Sequence, residues 1–243
     1  MNSPESPSPL PGRFLEIGIG TSDIRASVEF YERLGFTQAQ TGDLWPHPYG
    51  VLTDGRLHLG LHQQALASPA TTFVCPGIAA RAAELERLGL ALERVQAGEE
   101  AFHEIQARDP AGHTVRVLEA RTFSPSRRRP LETSLLGYFA ELSLPAADFE
   151  EPRRVWEALG FVATDEERPY PNLQLTSDAL DLALHRPAFS KRPLLVFREE
   201  TMPMRLARLR ELGIALAAPP HGLAAEESAL LTAPEGTSIL LIA

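Results

Sequence analysis

From Phe14 to Gly20, apolar residues alternate with Glu16, Gly18 and Gly20, the two-residue period of a strand with one packed face and one open face. Ser22 or Asp23 then stands where a helix needs an N-cap. Ile24, Val28, Tyr31 and Leu34 follow at helical spacing until Gly35 stops the run. Three more short strands are predicted around Thr37 to Gln40, Tyr49 to Thr53 and Leu57 to His62. The same order of elements then begins again. A strand at Thr71 to Cys75 leads to a helix at Ala79 to Leu88, with Ala82, Leu85 and Leu88 on one face and Gly89 as its stop. Strands near Leu92 to Val95, Phe102 to Ala107 and Thr114 to Leu118 complete a second strand–helix–three-strand motif.

The whole arrangement is then repeated. FLEIGIGTSDIRASVEFYERLGF (14–36) matches FAELSLPAADFEEPRRVWEALGF (139–161) at an offset of 125, pairing Glu16 with Glu141, Asp23 with Asp148 and Tyr31 with Trp156. LTDGRLHLGLH (52–62) matches LTSDALDLALH (175–185) at 123, which pairs His62 with His185. LGLAL (88–92) matches LGIAL (212–216), and DPAGHTVRVLEA (109–120) matches APEGTSILLIA (233–243), both at 124. Four blocks in one order at nearly constant spacing make a tandem repeat. The second copy is expected to reproduce every element of the first, with Arg205 to Leu212 as its second helix.

Two βαβββ motifs per module and two modules per chain resemble the vicinal-oxygen-chelate superfamily, the fold of glyoxalases, bleomycin-resistance proteins and extradiol dioxygenases. The likeness rests on TSDIRASVEFYERLGF, with its capping acid and aromatic-x-x-LGF ending, and on the closing turn and strand DPAGHTVRVLE. It implies an α+β fold of curled mixed sheets, with module one at 13–120 and module two at 137–243. A Pro/Ser-rich tail at 1–12 and a linker at 121–136 lie outside it. Function does not follow from this fold, which hosts lyases, isomerases, dioxygenases, thiol transferases and drug-binding proteins.

Enzymes of the superfamily hold a divalent metal with His, Glu or Gln from the first and last strands of each motif. Carried over residue by residue, those positions fall on Glu16, His58, Ala70 or Thr72, and Arg116 in module one. In module two they fall on Glu141, Asp181, about Leu194, and Leu240. No combination, within a module or across both, supplies more than two ligands, and the permanent cation of Arg116 opposes a divalent ion. The resemblance therefore implies a protein that binds a small organic molecule without the usual metal site or other cofactor, similar to the antibiotic-sequestering branch. The alternative is a metal-dependent lyase or dioxygenase with an unusual ligand set built on Glu16 and His58. A scaffold with vestigial pockets is the third reading.

Candidate pocket residues extend beyond those positions. GDLWPHPYG (42–50) offers Trp45, His47 and Tyr49 in a loop, and RPYPN (168–172) places Tyr170 correspondingly in module two. Rigid aromatic walls with a few polar groups suit a small-molecule pocket, although such a loop also packs on its own module. His62 and His185 end equivalent strands and join the candidates. Glu16 and Arg116 lie on open strand faces and are expected to form a salt bridge. His103 and His113 are isolated, and Cys75, ending an apolar strand, is expected to be buried and inert.

Bulk properties narrow the partners. A formal charge of -9 argues against a general nucleic-acid binder, and Arg127-Arg128-Arg129 reads as a solvated linker. No apolar run suits a membrane span, and MNSPESPSPLPG lacks the basic start and apolar stretch of a secretory signal. One cysteine allows no internal disulfide, which fits a cytoplasmic protein. Two fused modules can stand in for a dimer, and a further homodimer remains open.

Overall fold

The computed structural model describes residues 10–40, 45–96, 103–119, 134–165 and 168–243. Residues 1–9 of the sequence-predicted tail and the triple-arginine run lie outside the described residues, as does most of the linker.

Module one runs β1 (Arg13–Gly20), α1 (Ile24–Arg33), β2 (Thr37–Ala39), β3 (Tyr49–Thr53) and β4 (His58–His62). Its second motif runs β5 (Ala70–Cys75), α2 (Ile78–Arg87), β6 (Ala91–Gln96), β7 (Glu104–Arg108) and β8 (Thr114–Glu119). The eight strands form one mixed sheet in the order β2-β3-β4-β1-β5-β8-β7-β6. The first strands of the two motifs meet antiparallel at its centre, and each pairs in parallel with its own motif's last strand.

Module two runs β9 (Tyr138–Pro145), α3 (Glu150–Ala158), β10 (Val162–Thr164), β11 (Asn172–Thr176), β12 (Asp181–His185), β13 (Leu194–Arg198), α4 (Met202–Glu211), β14 (Ser228–Thr232) and β15 (Ser238–Ile242). Its sheet has seven strands in the order β10-β11-β12-β9-β13-β15-β14. The expectation of a full second copy is corrected here, because the counterpart of β6 is reduced to one bridge between Ala217 and Leu230. Residues 217–220, Ala-Ala-Pro-Pro, follow that point, and proline cannot donate to a ladder.

Strand alternation divides each sheet into a helix face and an opposite face. Ile17 and Ile19 of β1, Leu59 and Leu61 of β4, and Val115 and Val117 of β8 are buried on the helix face. α1 begins at Asp23, whose side chain accepts from the Ala26 N–H at 3.1 Å. Tyr31, Leu34 and Phe36 then enter a core that is continuous across both modules. Reciprocal polar bonds lock the modules together. Trp156 of α3 donates to Asp109 in module one's closing turn at 3.1 Å, while Tyr31 of α1 donates to Glu235 in module two's closing turn at 2.8 Å. Among the described residues no helix is long and apolar enough to cross a membrane.

Candidate functional site

The face opposite the helices carries the polar residues. β1 and β9 each break register one residue before their glutamate, skipping Leu15 and Ala140. Such a bulge re-aims the side chain that follows it. Glu16, Thr72 and Arg116 stand side by side on β1, β5 and β8, and all are fully buried. Glu16 leans over Gly60, where an added Cβ would lie 2.1 Å from its carboxylate, so only glycine leaves room for it. There its two oxygens meet different partners: His62 Nε2 at 3.0 Å and the Tyr49 hydroxyl, which donates at 2.5 Å. His62 Nδ1 faces His47 Nε2 at 3.0 Å. A His62 tautomer that donates from Nε2 to Glu16 can accept at Nδ1 from His47. Burial, followed by His62 and Arg116, holds the His47 pKa below its ordinary value and so favours the neutral ring.

Arg116 has a carboxylate partner of its own. Its Nε donates to Glu104 at 2.7 Å, with side-chain exposures of 1% and 9%. Its Nη1 approaches His62 Nε2 at 3.3 Å, and the Trp45 ring lies 5.0 Å from the guanidinium carbon. Trp45, Tyr49 and His62 form an aromatic cluster beside the cation, with ring centroids 4.7 to 5.6 Å apart.

Module two builds a different site on the same plan. Glu141 accepts from Tyr170 at 2.6 Å, Asn172 at 3.3 Å and Arg168 at 3.3 Å. Burial raises its pKa against the opposing pull of Tyr170 and Arg168, and burial followed by Glu141 lifts Tyr170 well above the ordinary tyrosine range. His185 Nδ1 meets Ser143 Oγ at 2.8 Å, and Nε2 meets the Ser190 carbonyl at 3.1 Å. Burial pushes this histidine down to about 4, so it is neutral near pH 7. The rest of the face is apolar: Leu194, Val196, Leu240 and Ile242 pack with Tyr170, Phe189 and Leu223. Phe189 stacks on Tyr170 with centroids 4.3 Å apart and planes 7° off parallel.

Of the sequence-predicted residues, Glu16, His62, Tyr49, Trp45 and Arg116 come together in module one, with His47 joining them. His58 lies on the same strand face as His62. In module two, Glu141, Tyr170 and His185 gather, whereas Asp181 stands at the far end of β12 and accepts from Thr176 at 2.5 Å. Two expectations are corrected. Arg116 pairs with Glu104 rather than Glu16, because His62 stands between the carboxylate of Glu16 and the guanidinium. The partner of Glu141 on β13 is Val196, whereas Leu194 pairs with Ser143. Glu104 and Ser143 were not anticipated, and Arg168 and Asn172 had entered only as the ends of the RPYPN segment. Glu104 was within reach of hairpin arithmetic, since the turn at 109–112 pairs Arg116 with Gln106 and puts Glu104 on the same face.

These residues do not suit the divalent metal that the fold family implies. At the four inherited positions of module one, a buried guanidinium and a threonine replace two ligands, and Glu16 is already bound by Tyr49 and His62. In module two, valine and leucine occupy the corresponding places beside Glu141. Among the described residues no three His, Cys, Asp or Glu side chains converge on one point.

Residues 13–126 match the family model described as Glyoxalase/Bleomycin resistance protein/Dioxygenase superfamily. No curated protein matches the sequence significantly. Solved structures match over the full length. The 2,3-dioxygenase LapB from Pseudomonas sp. KL28 is 14% identical, with 98% of this chain and 93% of that one covered and a TM-score of 0.61. Homoprotocatechuate 2,3-dioxygenase from Arthrobacter globiformis is 19% identical, with 98% and 81% covered and a TM-score of 0.63. An extradiol ring-cleaving dioxygenase from B. fuscum is 17% identical, with 100% and 74% covered and a TM-score of 0.60. At such identities these structures establish the fold alone. The first module thus carries the match to the Glyoxalase/Bleomycin resistance protein/Dioxygenase superfamily model, and the second module repeats its fold.

Proposed function

We propose that the chain binds a small organic molecule in the first module's site, without the superfamily's divalent metal, in the manner of the antibiotic-sequestering members. The observation that carries this reading is the buried Arg116–Glu104 ion pair at the inherited last-strand ligand position. A cation held there repels a second cation, while its remaining N–H groups suit a polar ligand. Trp45, Tyr49 and His62 add the rigid aromatic wall that small-molecule sites use. The second module serves as a structural partner, because Phe189, Leu223 and Tyr170 already fill its apolar half.

A thermal-shift screen against natural products tests this reading. A ligand specific to the native state raises the melting temperature. The rise is expected to vanish in an Arg116→Met, Glu104→Gln variant and to survive Phe189→Leu in module two. The second reading, a metal-dependent lyase or dioxygenase with unusual ligands, draws on the likeness to 2,3-dioxygenases. It requires an ion held by Glu16 with His58 or His62.

A further inference from the structure

Thr72 is fully buried, and its hydroxyl has no hydrogen-bond partner among the described residues. An unpaired buried hydroxyl is destabilising and rare in native chains. It does not point into the core beneath the helices, because Thr72 shares the face of its register partners Glu16 and Arg116. Measured from the place a Cβ would take on Gly18, Thr72 Oγ1 lies at 3.3 Å, Leu66 Cδ2 at 3.4 Å and Arg116 Nη1 at 3.6 Å. A hydroxyl and a guanidinium therefore converge above Gly18. The third group at that point is the Leu66 Cδ2 methyl, which can accept no hydrogen bond.

Leu66 belongs to the segment joining β4 to β5, which crosses β1 so closely that a Cβ on Gly20 would lie 2.8 Å from the Leu66 carbonyl. Its counterpart in module two, 123 residues on, is Phe189, which stacks on Tyr170. There Val196 and Leu240 replace Thr72 and Arg116. The fold packs without a hydroxyl and a guanidinium at these positions, so module one's pair is not a requirement of the architecture.

Charge selects the class of ligand. Arg116 is already neutralised by Glu104, and Glu16 adds a second carboxylate nearby. An anionic ligand would set a third carboxylate around one guanidinium, whereas an uncharged acceptor oxygen adds none. The rings of Trp45, Tyr49 and His62 favour a planar body.

Resting on the reading of this site as a binding site, we infer that it takes an uncharged planar aromatic molecule bearing a carbonyl oxygen. That molecule displaces the Leu66 side chain and accepts hydrogen bonds from Thr72 Oγ1 and the Arg116 guanidinium.

Benzamide and benzoate are nearly isosteric and differ in charge, so titrating each into the full chain tests the inference. The readout is the Trp45 indole N–H resonance, with Trp156, bonded to Asp109 in the module interface, as internal reference. Benzamide should move Trp45 saturably and benzoate at least about tenfold more weakly. Thr72→Val should raise the melting temperature of the free protein, since it deletes an unpaired hydroxyl, yet weaken benzamide by about fivefold, the worth of one neutral hydrogen bond. Leu66→Ala should tighten benzamide. Benzoate binding as well as benzamide, or a Thr72→Val variant that melts lower or binds benzamide unchanged, overturns the inference. So does a Trp45 signal that neither probe moves in the wild type or in Leu66→Ala. The broader reading as a binding site falls only if the natural-product screen also leaves the melting temperature unchanged.

Discussion

Arg116→Met removes a cation from a place where its partner has almost no water to turn to. Glu104 is 2.7 Å away with 9% side-chain exposure, so the substitution strands a desolvated carboxylate. Breaking a buried pair in this way costs about 3–5 kcal/mol. Replacing both partners, Glu104→Gln with Arg116→Met, leaves no buried charge and should cost about 1 kcal/mol, chiefly the lost cation–π contact with Trp45. In a chain of this size each kcal/mol moves the melting temperature by roughly 2–4 °C, so the single variant should fall on the order of 10 °C and the double variant a few degrees. Urea unfolding of the four members of the cycle gives the coupling energy directly. Glu16→Gln with Arg116→Met is the control and should show no comparable rescue, because Glu16 bonds His62 and Tyr49. A single variant that melts with the wild type would show Arg116 to be solvated. Rescue by Glu16→Gln rather than Glu104→Gln would show that the wrong carboxylate has been paired.

Two further outcomes follow from other parts of the chain. His185, held down to about 4 in the folded state against about 6.5 unfolded, binds its proton more readily when unfolded. Its stabilising contribution is therefore complete above about pH 6.5 and is lost as pH falls toward 4, by about 3 kcal/mol in all. Urea midpoints of the wild type and His185→Gln should converge across that window, and parallel curves would exclude the titration. Trp156→Phe leaves the buried Asp109 carboxylate without its indole donor and should destabilise by about 1–3 kcal/mol in thermal unfolding. No loss would mean that this bond does not help to join the modules.

The repeat, the order of the elements and the open face of each strand were legible because periodicity and spacing are local properties. Glu16 and Arg116 were placed on the correct face by alternation, yet alternation gives no distance across a sheet, and the true partner, Glu104, comes from the β7–β8 hairpin. Leu194 was offered where Val196 stands because the equivalent position in module one was left at Ala70 or Thr72, two residues that share a strand face and that alternation cannot separate. Two features arise from segments with no period to read. Leu66 and Phe189 close their sites from irregular connections, and the strand equivalent to β6 dwindles to a bridge beside two prolines. The residue types at the inherited ligand positions were readable from the sequence alone. The unpaired Thr72 hydroxyl was not, since hydrogen-bond satisfaction is a property of the packed chain.

The central claim is that a resident guanidinium occupies the first module's inherited metal position. It is tested most directly by elemental analysis of protein purified without chelator, repeated after incubation with iron(II), manganese, nickel or zinc and removal of excess metal. The account predicts clearly less than one ion per chain throughout, with no change in Glu16→Gln. One tightly held ion per chain, lost in Glu16→Gln, would contradict it and restore the metal-dependent reading.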